Sequence, residues 1–192
     1  MASHIYTTEG IVLSRSVFGE ANLAVSLLTK TYGRIIARAQ GARAMSSKLR
    51  FGLEPLSVGA FSLVKGTGGW RLVGTLPQGS VLVCRGAAPV VGNIAALLMR
   101  LLPPHEAAPV LYDLLLADLR FLGRTEDEEE LRSAECIAVL HTLSELGYLA
   151  RAGQVAPLAH KGALTESLVE EMKAVRPQAV ALINTSLAAS GL

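Results

Sequence analysis

A run of cationic side chains is the part of this sequence best suited to chemistry. No acidic residue lies between Thr31 and Leu53, so the whole stretch is positively charged. Cationic groups neutralise phosphates, and the flat side chains that bracket the stretch, Tyr32 and Phe51, offer surfaces on which bases can stack. This pattern predicts a nucleic-acid contact; a merely solvated loop is the alternative. The candidate binding residues are Arg34, Arg38, Arg43, Lys48 and Arg50.

The charge of the chain is unevenly distributed along its length. The formal net charge is +2, yet residues 1–80 contain nine Lys and Arg against three Asp and Glu, a balance of +6. The remaining residues contain 9 basic and 13 acidic groups, a balance of −4. Six of the nine aromatic residues also lie in the first 80. A basic first part joined to an acidic second part indicates an anionic partner for the first part alone.

The residues that would support bond chemistry are scattered. No His-x-x-x-His or Cys-x-x-Cys pair occurs, and Gly66–Gly69 lacks the Gly-Lys-Ser/Thr ending of a phosphate-binding loop. Cys136 and His141 are five positions apart, which puts them on different faces of a helix, so Cys136 is expected in the core. We therefore predict no catalytic residue, no metal site and no cofactor. The four histidines are His4, His105, His141 and His160.

The first 80 residues have the pattern of short β-strands. Three strands are predicted near residues 10–13, 24–29 and 33–39, and a fourth and fifth follow at 58–65 and 70–76. In the third, Arg34, Ile36 and Arg38 share one face by the two-residue period. Gly66–Gly69 predicts the hairpin loop between the last two strands. Five strands without a long helix between them indicate a small barrel such as the OB-fold.

The periodicity changes to that of helices after about residue 90. Residues 107–122 form an amphipathic pattern, and a second helix is predicted from a capping box at Thr125 to a stop at Gly147. Thr165 is expected to cap a further helix, which Pro177 breaks or restarts. The fold class is therefore α+β, with an N-terminal five-stranded OB-type β-barrel, residues 1–80, followed by an all-α domain, residues 81–192.

Two further patterns concern burial and location. Phe18 and Phe61 are predicted in the core, whereas Tyr32, Phe51 and Trp70 are left open between core packing and base stacking. The most apolar segment, residues 90–102, contains Gly92, Asn93 and Arg100, so no membrane span is expected. Two cysteines 52 positions apart favour a reducing, cytoplasmic location.

An ordered series of short motifs resembles the RecO family of recombination mediators. The opening segment Thr8–Leu13 is followed by Phe18-Gly19-Glu20, and the Leu-rich helix 111–122 and the segment Leu146-Gly147-Tyr148 resemble later landmarks of the family. The chain departs from those members that have a four-cysteine zinc module, because no cysteine follows Cys136. The other matching segments are Leu28-Thr29, Tyr32-Gly33, Ala39–Arg43, Ser46–Leu49 and Leu53–Leu56.

The resemblance implies a function that composition alone does not give. It implies a bacterial, cytoplasmic and nucleoid-associated protein that binds single-stranded DNA, anneals strands and loads recombinase onto DNA coated with single-strand-binding protein. It also implies a RecR-type partner. Arg43 and Lys48 lie inside matched motifs, while Arg34, Arg38 and Arg50 rest on the local charge. Whether double-stranded DNA is also bound stays open.

Two other classes of function fit the same residues. An RNA-binding factor would use the same barrel, because stacking and charge do not by themselves distinguish the sugar. A protein–protein adaptor would bind no nucleic acid and would use its apolar helices as the interface. Oligonucleotide binding, its salt dependence and its preference for DNA or RNA separate the three.

Overall fold

A computed structural model describes residues 4–149 and 155–189. The chain forms two compact units. The first contains the described residues up to Val81 together with Leu102–Pro109, and the second contains Leu82–Leu101 and the described residues from Val110 onward. The segment 102–109, which the sequence-based division assigned to the helical part, thus belongs to the first unit. The division itself into domains 1–80 and 81–192 stays a proposal, since a domain is defined by folding on its own.

The first unit is a closed five-stranded barrel. The strands follow the order β1-β2-β3-β5-β4, and pairing of β4 with β1 closes the barrel. All neighbours are antiparallel except β3 and β5, which pair in parallel from Ala37 opposite Trp70 to Ala39 opposite Leu72. This is the OB-type barrel that the sequence predicted. The strands are β1 (Ile5–Phe18), β2 (Asn22–Thr29), β3 (Gly33–Ala39), β4 (Ser57–Gly66) and β5 (Gly69–Ser80).

Strand β1 is long because it pairs with two neighbours in succession. Its first half pairs with β4 and its second half with β2, and a β-bulge lies between Val12 and Ser14. Gly10 lies where the two pairings overlap. A Cβ there would lie 3.1 Å from both the Leu28 carbonyl oxygen and the Phe61 ring. The absence of a side chain at Gly10 lets the Phe61 ring fill the barrel interior.

The alternation predicted for β3 is present. Ile35, Ala37 and Ala39 are buried in the barrel core, while Ile36 and Arg38 are exposed on the other face. An exposed face that carries an arginine can contact a partner without any loss of core packing.

The aromatic side chains take different roles in the barrel. Phe61 lies in the core as predicted, but the same prediction for Phe18 is wrong, because Phe18 is 47% exposed at the end of β1. Trp70 is buried and Tyr32 packs against the core from its edge. Phe51 is 71% exposed. Of the three aromatics that the sequence left open, Phe51 therefore remains accessible, whereas Trp70 belongs to the core.

The second unit consists of helices. The sequence pattern did not single out α1, whose apolar residues it treated only as a rejected membrane span. Within the part of the chain that the structure describes, no helix is long and apolar enough to cross a membrane. The helices are α1 (Ala88–Leu101), α2 (Pro109–Arg124), α3 (Glu128–Glu145) and α4 (Glu166–Ala189).

The start of α3 differs from the predicted capping box. The N-cap is Asp127, whose side chain accepts a hydrogen bond from the Glu130 N–H at 2.8 Å. Thr125, the residue directly after α2, instead donates from Oγ1 to the Phe121 carbonyl at 3.0 Å, so it caps the end of α2. Thr and Asp are both favoured at N-caps. Asp127 takes this position because the Thr125 side chain is already bonded to the end of α2. The predicted stop is confirmed, since Gly147 has a φ of +75° directly after the helix.

Helix α4 continues through Pro177, so the prediction of a break there is wrong. Thr165 does cap the helix as predicted, because its Oγ1 accepts a hydrogen bond from the Leu168 N–H at 3.2 Å. A proline in a helix interior removes one backbone hydrogen bond and costs about 3 kcal/mol. Met172 and Ala179, on either side of Pro177, are both fully buried. Burial on both sides stabilises one continuous helix against that cost.

Candidate nucleic-acid interface

Three cations surround the hairpin between β4 and β5. The parallel pairing of β3 with β5 places Arg38 opposite Arg71, and Lys65 precedes the hairpin on β4, opposite Trp70. Gly66 pairs with Gly69 across the turn. Gly69 has a φ of +94°, a backbone conformation that glycine adopts readily because it has no Cβ. The side chains and the hairpin backbone line an open cavity of about 370 Å³. We call this cavity the hairpin groove.

Aromatic rings lie beside two of these cations. The Arg38 guanidinium carbon lies 5.1 Å from the centroid of the Phe18 ring, and Lys65 Nζ lies 5.5 Å from the centroid of the Trp70 ring. These are cation–π distances, and they hold the two charges at the groove. Among the described residues, no acidic side chain forms an ion pair with Arg38, Lys65 or Arg71. The hairpin groove is therefore a concentration of uncompensated positive charge.

A second cationic cavity lies beside the hairpin between β1 and β2. The loop after β3 is fastened to this hairpin, because Arg43 Nη1 donates to the Glu20 carbonyl at 2.8 Å and the Arg43 N–H donates to the Ala21 carbonyl at 3.0 Å. Arg15 and Arg50 also line the cavity, which measures about 430 Å³. We call it the loop cavity. Since Phe18, next to the turn of the same β1–β2 hairpin, contacts Arg38, this hairpin connects the two cationic regions.

The structure separates the five residues that the sequence grouped. Arg38 lines the hairpin groove, and Arg43 and Arg50 line the loop cavity. Lys48 is exposed in a short 3-10 turn and lines neither cavity. Arg34 is half-buried, and its Nε donates to the Leu102 carbonyl at 3.0 Å, so it holds the segment 102–109 against the barrel.

The two cavities are also lined by three cations that were not among the residues predicted from the sequence. Lys65 and Arg71 lie on β4 and β5, and Arg15 lies on β1. Each is isolated in the sequence and joins the others only through strand pairing. The one available signal was the glycine hairpin, which Lys65 directly precedes.

The remaining aromatic rings form a cluster at one end of the barrel. Tyr6, Tyr32 and Trp70 contact one another at centroid distances between 5.4 and 5.8 Å. Trp70 Nε1 donates a hydrogen bond of 3.3 Å to Nδ1 of His105, which lies in the segment 102–109 with a φ of +68°. His105 is thus a loop residue between α1 and α2. This cluster fixes the segment on the barrel, and most of its ring surface is occupied by protein.

Three groups of the helical unit that could take part in catalysis, Cys136, Asp118 and His141, are buried. Burial raises the pKa of the Cys136 thiol, and the nearby Glu135 charge raises it further, which keeps the thiol protonated and a poor nucleophile. His141 Nδ1 donates to Asp118 Oδ2 at 2.7 Å, and both side chains are completely buried. Asp118 Oδ1 also accepts from the Leu164 N–H at 2.9 Å. No sequence pattern indicated this pair, because its two members lie on different helices.

Within residues 4–149 and 155–189, no group of three His, Cys, Asp or Glu side chains is arranged to hold a metal ion. The geometry that remains is that of a basic barrel surface with exposed rings beside it. Such a surface can hold a chain of phosphates and stack bases.

The comparisons with known proteins agree with the motifs. Residues 1–73 match the family model described as Recombination protein O N terminal. The DNA repair protein RecO of Bacillus subtilis is 32% identical over 128 residues, which is 63% of this chain and 49% of that protein. The DNA repair protein RecO of Thermodesulfovibrio yellowstonii is 30% identical over 155 residues, which is 75% of this chain and 58% of that protein.

A third relative gives the same result at a similar length. The DNA repair protein RecO of Streptomyces avermitilis is 32% identical over 143 residues, or 66% of this chain and 56% of that protein. The chain thus spans about half the length of the curated relatives that it matches. The family model covers β1 to the first part of β5, and the alignments to these relatives are too long to be confined to the barrel. This chain belongs to the RecO family.

Proposed function

We propose that this chain binds single-stranded DNA on its barrel and acts in DNA repair as a mediator without bond chemistry. The observation that carries the proposal is the hairpin groove, where Arg38, Lys65 and Arg71 surround the β4–β5 hairpin. OB-folds bind oligonucleotides on the face of their second and third strands and on the β1–β2 and β4–β5 loops. The groove and the loop cavity lie at these places.

The mechanism of binding follows from the two kinds of side chain at the site. The cations neutralise phosphates and release condensed counterions, so affinity falls as salt rises. Exposed rings, Phe18 at the groove and Phe51 after the cationic loop, offer stacking surfaces to bases. Arg43, Lys48 and Arg50 extend the positive surface beyond the groove. Arg34 contributes least, because it is half-buried, unlike the exposed Arg43, and its Nε is bonded to a backbone carbonyl.

The family supports the wider role. The relatives are named DNA repair proteins, and a mediator of this kind promotes strand annealing and recombinase loading on DNA coated with single-strand-binding protein. In this role the barrel holds DNA, while the helical unit docks a RecR-type partner and the single-strand-binding protein in the bacterial cytoplasm. The buried state of Cys136 and of the His141–Asp118 pair favours a non-catalytic role, since a reacting group must reach its substrate.

The decisive experiment measures binding of a fluorescent single-stranded DNA oligonucleotide by anisotropy over a range of salt concentrations. The test variant changes Arg38, Lys65 and Arg71 to Ala. Each phosphate contact on a single strand contributes about 0.7 to the slope of log affinity against log salt, so the triple change should lower that slope by about 2. The matched control removes three exposed arginines of the helical unit, Arg100, Arg120 and Arg132.

The control should leave the affinity and the salt slope close to wild type. Equal losses in the two triple variants would show that net charge alone drives binding and would refute the groove. A preference for RNA of the same sequence would favour the RNA-binding class. If the wild-type protein binds no oligonucleotide at low salt, the adaptor class replaces the proposal.

A further inference from the structure

The loop cavity combines an arginine rim with an apolar floor. Arg15, Arg43 and Arg50 lie at the rim, and the side chains of Leu23 and Met45 contribute to the apolar lining. We propose that this cavity is a subsite for one unpaired nucleotide, with the base against the apolar floor and the phosphate on the arginines. The inference rests on the proposed function and adds to it a reason for preferring single strands.

The floor has the properties that a base requires. Leu23 and Ala42 are buried and fixed by the barrel, whereas Met45 is 91% exposed at the edge of the cavity. A methionine side chain is flexible and polarizable, so it can fold over an aromatic base. A cavity of about 430 Å³ lies within the range of small-molecule sites.

The rim supplies donors for a phosphate, and Arg43 among them is fixed. Arg43 is held in place by its bonds to the β1–β2 hairpin, and Arg50 lies at the end of the 3-10 turn. Arginine offers paired N–H groups that match phosphate oxygens, so three arginines around one cavity favour a phosphate over a neutral ligand. The lining contains a single acid, Glu54, against these three cations.

At the rim, the Glu54 carboxylate competes with a phosphate for Arg15. Its Oε2 lies 2.5 Å from Arg15 Nη2, which is where an anionic oxygen of a ligand would bind. A phosphate that enters must therefore displace this carboxylate or share Arg15 with it. Replacement of Glu54 by a neutral residue of the same shape should strengthen the binding of phosphate at this cavity.

Entry of a base into the cavity selects for unpaired strands. A base in a duplex is stacked and paired, and extruding it costs a few kcal/mol, whereas a base in a flexible single strand is already accessible. The hairpin groove, which contacts phosphates, makes no such distinction. The loop cavity is therefore the part of the barrel that we expect to discriminate single from double strands.

The test compares Glu54→Gln with Glu9→Gln as its matched control. Glu9 is also an acid of the barrel unit paired with a cation, since its Oε2 lies 4.0 Å from Lys30 Nζ, but it lines neither cavity. Binding of a thymidine oligonucleotide and of a duplex is measured by anisotropy at low salt. Because exposed ion pairs are weak, Glu54→Gln should tighten binding of the single strand about two- to fivefold, with less effect on the duplex and none from Glu9→Gln.

A second variant tests the base. Met45→Ser should weaken binding of the thymidine oligonucleotide by about two- to tenfold, in line with the strength of sulfur–aromatic contacts. It should leave an abasic oligonucleotide of the same length unaffected, because that probe has phosphates but no bases. Both substitutions lie at exposed side chains, and unchanged thermal melting would confirm that the variants fold.

Three results would overturn the subsite. They are an equal effect of Glu54→Gln and Glu9→Gln, an equal gain for single strand and duplex, and an equal loss for the thymidine and abasic probes in Met45→Ser. If binding still depends on Lys65 and Arg71, these results refute the subsite alone. Absence of any oligonucleotide binding by the wild-type protein refutes the proposed function together with the subsite.

Discussion

The buried Asp118 side chain joins three segments of the helical unit, and its removal should be costly. Asp118 on α2 accepts from His141 on α3 at 2.7 Å and from the backbone N–H of Leu164, which precedes α4, at 2.9 Å. Both side chains are completely buried. Replacement by Ala therefore leaves the His141 Nδ1 proton and the Leu164 N–H without partners inside the protein.

The expected loss can be worked out from these contacts. Each unsatisfied buried group costs about 1–3 kcal/mol, and removal of one member of a buried ionisable pair typically costs about 3–5 kcal/mol. We expect Asp118→Ala to lower the free energy of unfolding by about 3–5 kcal/mol, a large part of the stability of an ordinary domain. Asp118→Asn keeps the oxygen that Leu164 needs, so its loss should be smaller, about 1–3 kcal/mol.

The assay is urea denaturation followed with two probes. Helical circular dichroism reports mainly the second unit, whereas Trp70, the single tryptophan of the chain, reports the barrel by fluorescence. Asp118→Ala should shift the circular dichroism transition to lower urea. If Asp118→Ala lowers the free energy of unfolding by less than about 1 kcal/mol, or if the Asn and Ala variants lose equally, the assignment of Asp118 as a structural junction is refuted.

Two further substitutions test features of the barrel and of the helical unit. Gly33→Ala should destabilise the barrel, because Gly33 has a φ of +63° and a Cβ there would lie 1.8 Å from the Glu106 carbonyl oxygen. Gly41→Ala is the matched control, since Gly41 has a φ of +65° with nothing within 4 Å, so the backbone strain is common to both and the overlap with Glu106 should make Gly33→Ala worse by about 1–3 kcal/mol in urea denaturation. Burial raises the pKa of Glu135, although a hydrogen bond from Asn93 opposes the shift. The raised pKa favours the protonated carboxyl in the folded state, so this stability is present at acidic pH and is lost as pH rises through the folded pKa. Glu135→Gln should therefore raise the melting temperature near neutral pH more than at acidic pH; an equal change at both would contradict the burial effect.

Much of the fold could be predicted because it depends on local periodicity. The two-residue alternation in β3 and the glycine hairpin identified strands, and the three- and four-residue spacing identified α2 and α3. Local signals also misled where tertiary context overrides them. Pro177 predicted a break, but the helix continues through it because the residues on both sides are buried. Phe18 was predicted in the core because it is aromatic, but it lies exposed at the end of β1.

Only part of the candidate site could be predicted from the sequence. The basic stretch and its place on the barrel could be read directly, because consecutive charges without acids are visible in one dimension. The convergence of Arg38 with Lys65 and Arg71 could not, since it depends on the register between β3, β4 and β5. Register is set by the packing of the barrel interior and leaves no mark on the exposed cations themselves.

The sequence by itself therefore determined a basic barrel, an acidic helical part and the absence of recognisable catalytic motifs, because these depend on composition and on spacing along the chain. Only the tertiary structure decided which cations share a groove, that Arg34 is bonded to the Leu102 carbonyl, and that Asp118 meets His141 in the helical core. The physical reason is the same in each case. A hydrogen bond or a shared cavity requires two groups to meet in space, and for groups far apart in the chain that meeting is fixed by strand register and helix packing.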